Sequence, residues 1–198
     1  MGEKVIIRIS GGTVKGRRLG IRRAFIHESE EKALRPTSSK VREAIFDILQ
    51  KQVHDASFLD LYAGTGAVGF EALSRGAAKV VFVETNPLRV KIINHFVTEF
   101  NFKERSMVIR GKAYDFVEKS ALHGDSYDIV FVDPPYSSEE LVKVLALLGE
   151  GGIVREDGIV IAEHFFKTAL PDTLEGLKKK KIYSYGDTFL SLYRLEKL

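Results

Sequence analysis

Phe58-Leu59-Asp60-Leu61-Tyr62 runs directly into Ala63-Gly64-Thr65-Gly66-Ala67-Val68-Gly69. The first segment is apolar apart from one carboxylate, the pattern of a strand buried on both faces. The second carries glycines in a G-x-G-x-x-G spacing, with an apolar helical stretch behind it. Strand, glycine turn and helix in that order are the context that gives this spacing meaning. Glu84 closes the next apolar run, 18 residues after Gly66, where an acidic side chain accepts hydrogen bonds from ribose hydroxyls. The stretch therefore predicts a doubly wound α/β sheet holding a nucleoside-containing cofactor on Asp60, Ala63, Gly64, Thr65, Gly66 and Glu84.

Outward from that stretch the same alternation continues. Strand-like runs fall near 57–61, 79–84, 106–110, 128–133 and 159–163, with helical runs near 67–75, 87–100, 113–122 and 138–149. Such alternation predicts a mostly parallel sheet with helices on both faces. Asn86-Pro87 is a cap followed by a first-turn proline. At the C-terminal end, 180–185 and 188–195 flank Gly186-Asp187 and read as an antiparallel hairpin at one edge. The expected total is seven strands. Ahead of this body, 4–9 and 19–23 form a small hairpin around Gly11-Gly12. A helix follows whose apolar face is Val41, Ile45, Ile48, Leu49 and Val53, capped by a serine or threonine at 37–39. The expected division is a basic hairpin arm over 1–36 and the α/β domain over 37–198.

Charge follows the same division. Residues 1–42 hold 11 Lys and Arg against 4 Asp and Glu, a net +7, and the remainder holds 19 against 23, a net −4. A basic arm on a mildly acidic body suits a polyanionic partner. The chain has no cysteine, which excludes disulfides, thiolate metal sites and cysteine nucleophiles, and no metal site is expected. No apolar run approaches a membrane span and the N-terminus lacks a signal-peptide core, so a cytoplasmic, membrane-free monomer is expected.

Asp60 decides between cofactors. A dinucleotide places its pyrophosphate at the helix N-terminus, where a carboxylate repels it. The same carboxylate suits a cation, such as the ammonium end of S-adenosyl-L-methionine. The second motif is Asp133-Pro134-Pro135-Tyr136, at the end of the apolar run 127–132. Two prolines force the chain out of the sheet with fixed φ. They present a carboxylate, a carbonyl and an aromatic ring at a strand end. Asp133 and the Pro134 carbonyl suit an exocyclic amine as acceptors, and Tyr136 suits stacking on the base. In strand order 3-2-1-4 the glycine turn and this motif end neighbouring strands at the switch point, where ligands bind.

These residues together resemble a class I methyltransferase acting on an exocyclic amine, and more closely the RsmD family. The resemblance rests on Arg8-Ile9-Ser10-Gly11-Gly12, Lys15-Gly16-Arg17, Leu34-Arg35-Pro36-Thr37 with Val41-Arg42-Glu43, Asp60 to Ala77, and Phe131 to Tyr136. It implies methylation of guanine N2 (guanine-966 type) in bacterial 16S rRNA, in an assembling 30S particle, with S-adenosyl-L-methionine as cofactor. It also implies Asp133, Pro134 and Tyr136 as catalytic residues, and Arg8, Lys15, Arg17, Arg35, Thr37, Arg42 and Pro135 as substrate contacts. Where many class I enzymes carry an acidic residue for the cofactor's adenine, this chain has Gly111-Lys112-Ala113, leaving the Ala113 backbone. The Asp-Pro-Pro-Tyr set alone fits DNA adenine-N6 and other nucleic-acid amine methyltransferases equally well.

Overall fold

The computed structural model describes residues 4–22, 38–135 and 138–196. Strand β1 (Lys4–Arg8) pairs antiparallel with β2 (Arg18–Arg22). Ser38 then caps α1 (Ser39–Leu49), its side chain accepting from the Val41 N–H, and a short 3-10 turn follows over Gln50–Val53. Next come β3 (Ser57–Leu61), α2 (Ala67–Ser74), β4 (Lys79–Glu84) and α3 (Pro87–Glu99). Asn86 opens α3 by accepting from the Leu88 and Arg89 N–H groups, with Pro87 in the first turn. The remainder is β5 (Ser106–Arg110), α4 (Ala113–His123), β6 (Tyr127–Val132), α5 (Ser138–Glu150), β7 (Val154–Phe165), β8 (Thr173–Leu174), β9 (Leu177–Tyr185) and β10 (Thr188–Leu195).

The main sheet has the order β5-β4-β3-β6-β7-β10-β9-β8. Its first five strands are parallel and its last three join antiparallel. The eighth strand corrects the expected seven. Leu174 and Leu177 pair across Glu175-Gly176, with Glu175 at φ +48, a two-residue hairpin too short to show alternation. Strand β7 also starts five residues before the expected 159. Among the described residues no helix is long and apolar enough to cross a membrane.

Two apolar layers cover the sheet. Phe58, Phe82, Phe131 and Ile161 pack against the face carrying α1, α2 and α3. Leu59, Val83, Val132 and Ala162 pack against the face carrying α4 and α5. The N-terminal hairpin joins the first layer through Ile7, Ile9, Leu19 and Ile21, all buried. Each such side chain contributes about 1.5–3 kcal/mol.

Polar contacts also fix the hairpin. Glu71, fully buried in α2, accepts from the Ser10 N–H at 2.9 Å and the Ser10 hydroxyl at 2.8 Å, and pairs with Arg75 at 2.9 Å. The Thr13 N–H donates to the Ser74 carbonyl at 2.7 Å. A Cβ on Gly12 (φ +78) would stand 1.8 Å from that same carbonyl oxygen. Gly12 is thus required by the docking of the turn on the end of α2.

Candidate active site

The parallel register sets Leu61 of β3 against Val132 of β6. The glycine turn and Asp133 therefore leave the sheet side by side, at the C-terminal ends of the central strands. This is the switch point between β3 and β6, and α1 begins at the same end. The 3-10 turn after its far end carries Gln52, which joins Asp128 and Arg155 around a pocket at the opposite, N-terminal ends of the central strands.

Glu84 and Asp60 hold the glycine turn. Glu84 is buried at the end of β4 and accepts from the Gly64 N–H at 2.8 Å and the Asn86 N–H at 2.8 Å. The Ala63 N–H donates to the Val83 carbonyl at 2.9 Å, and the Gly66 N–H to the Ala63 carbonyl at 2.7 Å. The glycines do different work. A Cβ on Gly69 would lie 2.2 Å from Phe82, so the third glycine lets α2 sit directly on β4. Gly66 (φ +78) is closed in by Phe70 at 2.8 Å and Ile93 at 3.2 Å. Gly64 (φ +56) faces open space, its nearest neighbour being the Tyr62 carbonyl at 3.9 Å. Gly64 therefore leaves room for a close approach to its backbone, whereas Gly66 is closed in by packing.

Asp60 is 1% exposed and accepts from the Gly69 N–H at 3.0 Å in the first turn of α2. Burial, with smaller contributions from the Asp133 and Glu84 carboxylates, pushes its carboxyl up to about 8 against the lowering effect of that bond. Burial likewise pushes Asp133 up, to about 7. A cation bound beside these two carboxyls would favour their ionised forms. Ala63 and Thr65 are buried in the turn. Ala113 is buried at the first position of α4, where a backbone N–H has no partner within the helix.

Across the crevice, Pro134 is half-buried and Pro135 exposed. Tyr136, Arg35 and Thr37 lie outside the described residues. In the hairpin Arg8 and Lys15 are exposed. Arg17 is partly engaged by α3, pairing with Glu99 at 3.3 Å and lying over the Phe100 ring at 4.6 Å. Arg42 corrects the expectation of a substrate contact. It is 3% exposed, pairs with Glu71 at 3.5 Å and donates to the Arg8 carbonyl at 2.7 Å. Its charge is consumed in fastening α1 to α2 and the hairpin. The signal for this was Glu71 itself, the one charge in the otherwise apolar run of α2.

Sequence reasoning also missed Tyr62. It takes a left-handed φ of +65 and donates its hydroxyl to Glu140 at 2.8 Å, tying the glycine turn to α5.

The family model described as "Conserved hypothetical protein 95" matches residues 7–194. The chain belongs to this family, the RsmD family. It is 34% identical over 191 residues to the "Ribosomal RNA small subunit methyltransferase D" of Escherichia coli K12, covering 96% of this chain and 90% of that one. The solved Thermus thermophilus hypothetical protein TTHA0928 superposes with a TM-score of 0.78 at 27% identity, over 96% of this chain and 99% of that one. TrmN from Thermus thermophilus shares the fold at 18% identity, with a TM-score of 0.63 over 91% of this chain and 56% of that one. The RsmD fold is that of class I methyltransferases, whose cofactor is S-adenosyl-L-methionine. The site residues fit that group: Asp60 sets a carboxyl beside the glycine turn, able to pair with an ammonium, and Gly64 leaves open space beside its backbone.

Proposed function

We propose that the chain methylates the exocyclic N2 of a guanine in 16S rRNA, of the guanine-966 type, within an assembling 30S particle. The observation that carries this reading is the placement of Asp133. It follows the last residue of the strand neighbouring β3, beside the glycine turn, with a double proline directing the chain away from the sheet. Support for the substrate comes from the Escherichia coli relative's name and from the basic hairpin docked on the same face of the sheet.

The cofactor supplies a methyl group on a sulfonium, which leaves as a neutral thioether, so no covalent enzyme intermediate is needed. Asp60 and Glu84 bind and orient its two charged and hydroxylated ends, and Gly64 allows close backbone approach. The obstacle is the amine, whose lone pair is delocalised into the purine. Asp133 accepts a hydrogen bond from N2–H, which favours a pyramidal nitrogen and offsets the positive charge that develops as the N–C bond forms. Methylation makes the N2 proton strongly acidic, so the ionised Asp133 carboxylate already hydrogen-bonded to it takes that proton. Holding the two reactants in line supplies up to roughly 7–11 kcal/mol. The target base must leave its stack to reach the crevice.

The test is single-turnover methylation of 16S rRNA or immature 30S particles by Asp133→Ala. We expect a loss of about 10²–10³-fold with S-adenosyl-L-methionine affinity retained. Near-normal turnover would exclude Asp133 as the amine acceptor. Mass mapping of rRNA from a strain lacking the protein identifies the methylated base directly.

A further inference from the structure

We infer that Glu163, at the C-terminal end of β7, reads the N1–H of the target guanine and so selects guanine over purines that carry the same 2-amine without that hydrogen. The inference rests on the guanine-N2 reading and adds a specificity residue to it.

Register places the residue. Strands β6 and β7 are parallel neighbours with Phe131 against Ile161 and Val132 against Ala162. One step further, Glu163 stands level with Asp133, about 4.8 Å away in backbone terms. Alternation then places the side chain. Phe131 and Ile161 face the layer of α1, α2 and α3, while Val132 and Ala162 face the opposite layer. The next residue of β7 returns to the first face, and Asp133, one residue past the end of β6, lies close enough to Asp60 on that face for the two carboxylates to repel. Asp60 is on that face too, as its bond to Gly69 of α2 shows, and so is Glu84, which follows Val83 of the opposite layer.

Near their C-terminal ends four neighbouring strands thus bring carboxylates to one face, with Glu84, Asp133 and Glu163 at one level and Asp60 two residues lower, opposite Phe82 and Phe131. Glu84 and Asp60 belong to the cofactor and Asp133 to the amine. Glu163 lies on the far side of Asp133 from the cofactor, half-buried at the crevice edge. With N2 at Asp133 and its reacting side turned to the cofactor, the purine ring must extend away from β3, towards β7. Guanine's Watson–Crick edge carries N1–H directly beside the N2 amine. A carboxylate next to Asp133 accepts from that hydrogen. The same carboxylate faces a lone pair when N1 is bare, as in adenine or 2-aminopurine, and repels it. A site built to accept from an N–H rejects the analogue lacking it far more strongly than a merely shaped pocket does.

The test uses 16S rRNA carrying 2-aminopurine at the target position, which keeps the 2-amine and removes the N1 hydrogen. Single-turnover rates are compared for guanine and 2-aminopurine substrates with wild type and Glu163→Gln. The amide is nearly isosteric, and an unchanged S-adenosyl-L-methionine affinity verifies its fold. Wild type should prefer guanine by about 100-fold or more. Because a glutamine N–H can donate to the bare N1, the preference should shrink to about tenfold or less in the variant. The fluorescence of 2-aminopurine gives a second readout without turnover: Glu163→Gln should bring the base into the crevice at lower protein concentration than wild type does. An unchanged guanine preference in Glu163→Gln, or equal losses on both substrates, overturns the assignment. If wild type methylates neither 2-amine, the guanine-N2 reading itself has failed and the role of Glu163 falls with it.

Discussion

Replacing Asp60 by asparagine should make the cofactor-free protein more stable while disabling it. The carboxyl is 1% exposed and raised from 3.8 to about 8, chiefly by burial. The folded protein therefore holds this proton more tightly than the unfolded chain does. Stability from this group is greatest below 3.8 and declines as pH rises towards about 8. One such proton is worth about 1.4 kcal/mol per pH unit, so Asp60 costs the cofactor-free fold about 3 kcal/mol between pH 5 and pH 7. Asp60→Asn removes the titration and keeps an oxygen to accept from the Gly69 N–H. Urea denaturation without cofactor should show the variant gaining on wild type by that margin over those two units. The cofactor's ammonium should reverse the effect in wild type by favouring the ionised carboxylate. Binding at pH 7 should then release a proton, seen as a buffer-dependent heat in calorimetry. Affinity for S-adenosyl-L-methionine should fall about 10–100-fold in the variant, the range for losing a charged hydrogen bond. Parallel stability–pH curves for wild type and Asp60→Asn would refute the reasoning.

Arg42→Ala should act on the fold and not selectively on RNA: breaking its buried pair with Glu71 should cost about 3–5 kcal/mol, read as a lowered urea midpoint with cofactor and RNA activity lost together. Selective loss of RNA affinity at unchanged stability would return Arg42 to the substrate. Replacing the exposed Lys15 and Arg18 by alanine should leave cofactor affinity intact and weaken RNA binding at low salt. The slope of log affinity against log salt should flatten by about 1.4, the counterion release of two phosphate contacts on a single strand; an unaltered slope would show that the hairpin's free cations do not meet RNA.

Much of this protein is legible in its residues taken locally. The alternation of apolar runs, the glycine turn after 58–62, Asn86-Pro87 at the head of α3 and the double proline after β6 are each set within one or two turns of chain. Propensity, capping and fixed φ act over that range, and right-handed crossovers then order the central strands. Ser38, as cap of α1, falls under the same heading. Long-range contacts are different, because the partner is specified by packing and not by spacing. Ser10 meets Glu71 across 61 positions, which turned Arg42 from a candidate substrate ligand into a buried tie and made Gly12 a docking residue. Gly64 and Gly66 look equivalent in sequence, yet only the positions of Phe70 and Ile93 show that one opens on the crevice and the other is shut in. Glu163 carries no local mark at all. Strand register alone brings it level with Asp133, because a parallel neighbour's ends align through hydrogen bonds between segments whose separation in sequence says nothing of their adjacency.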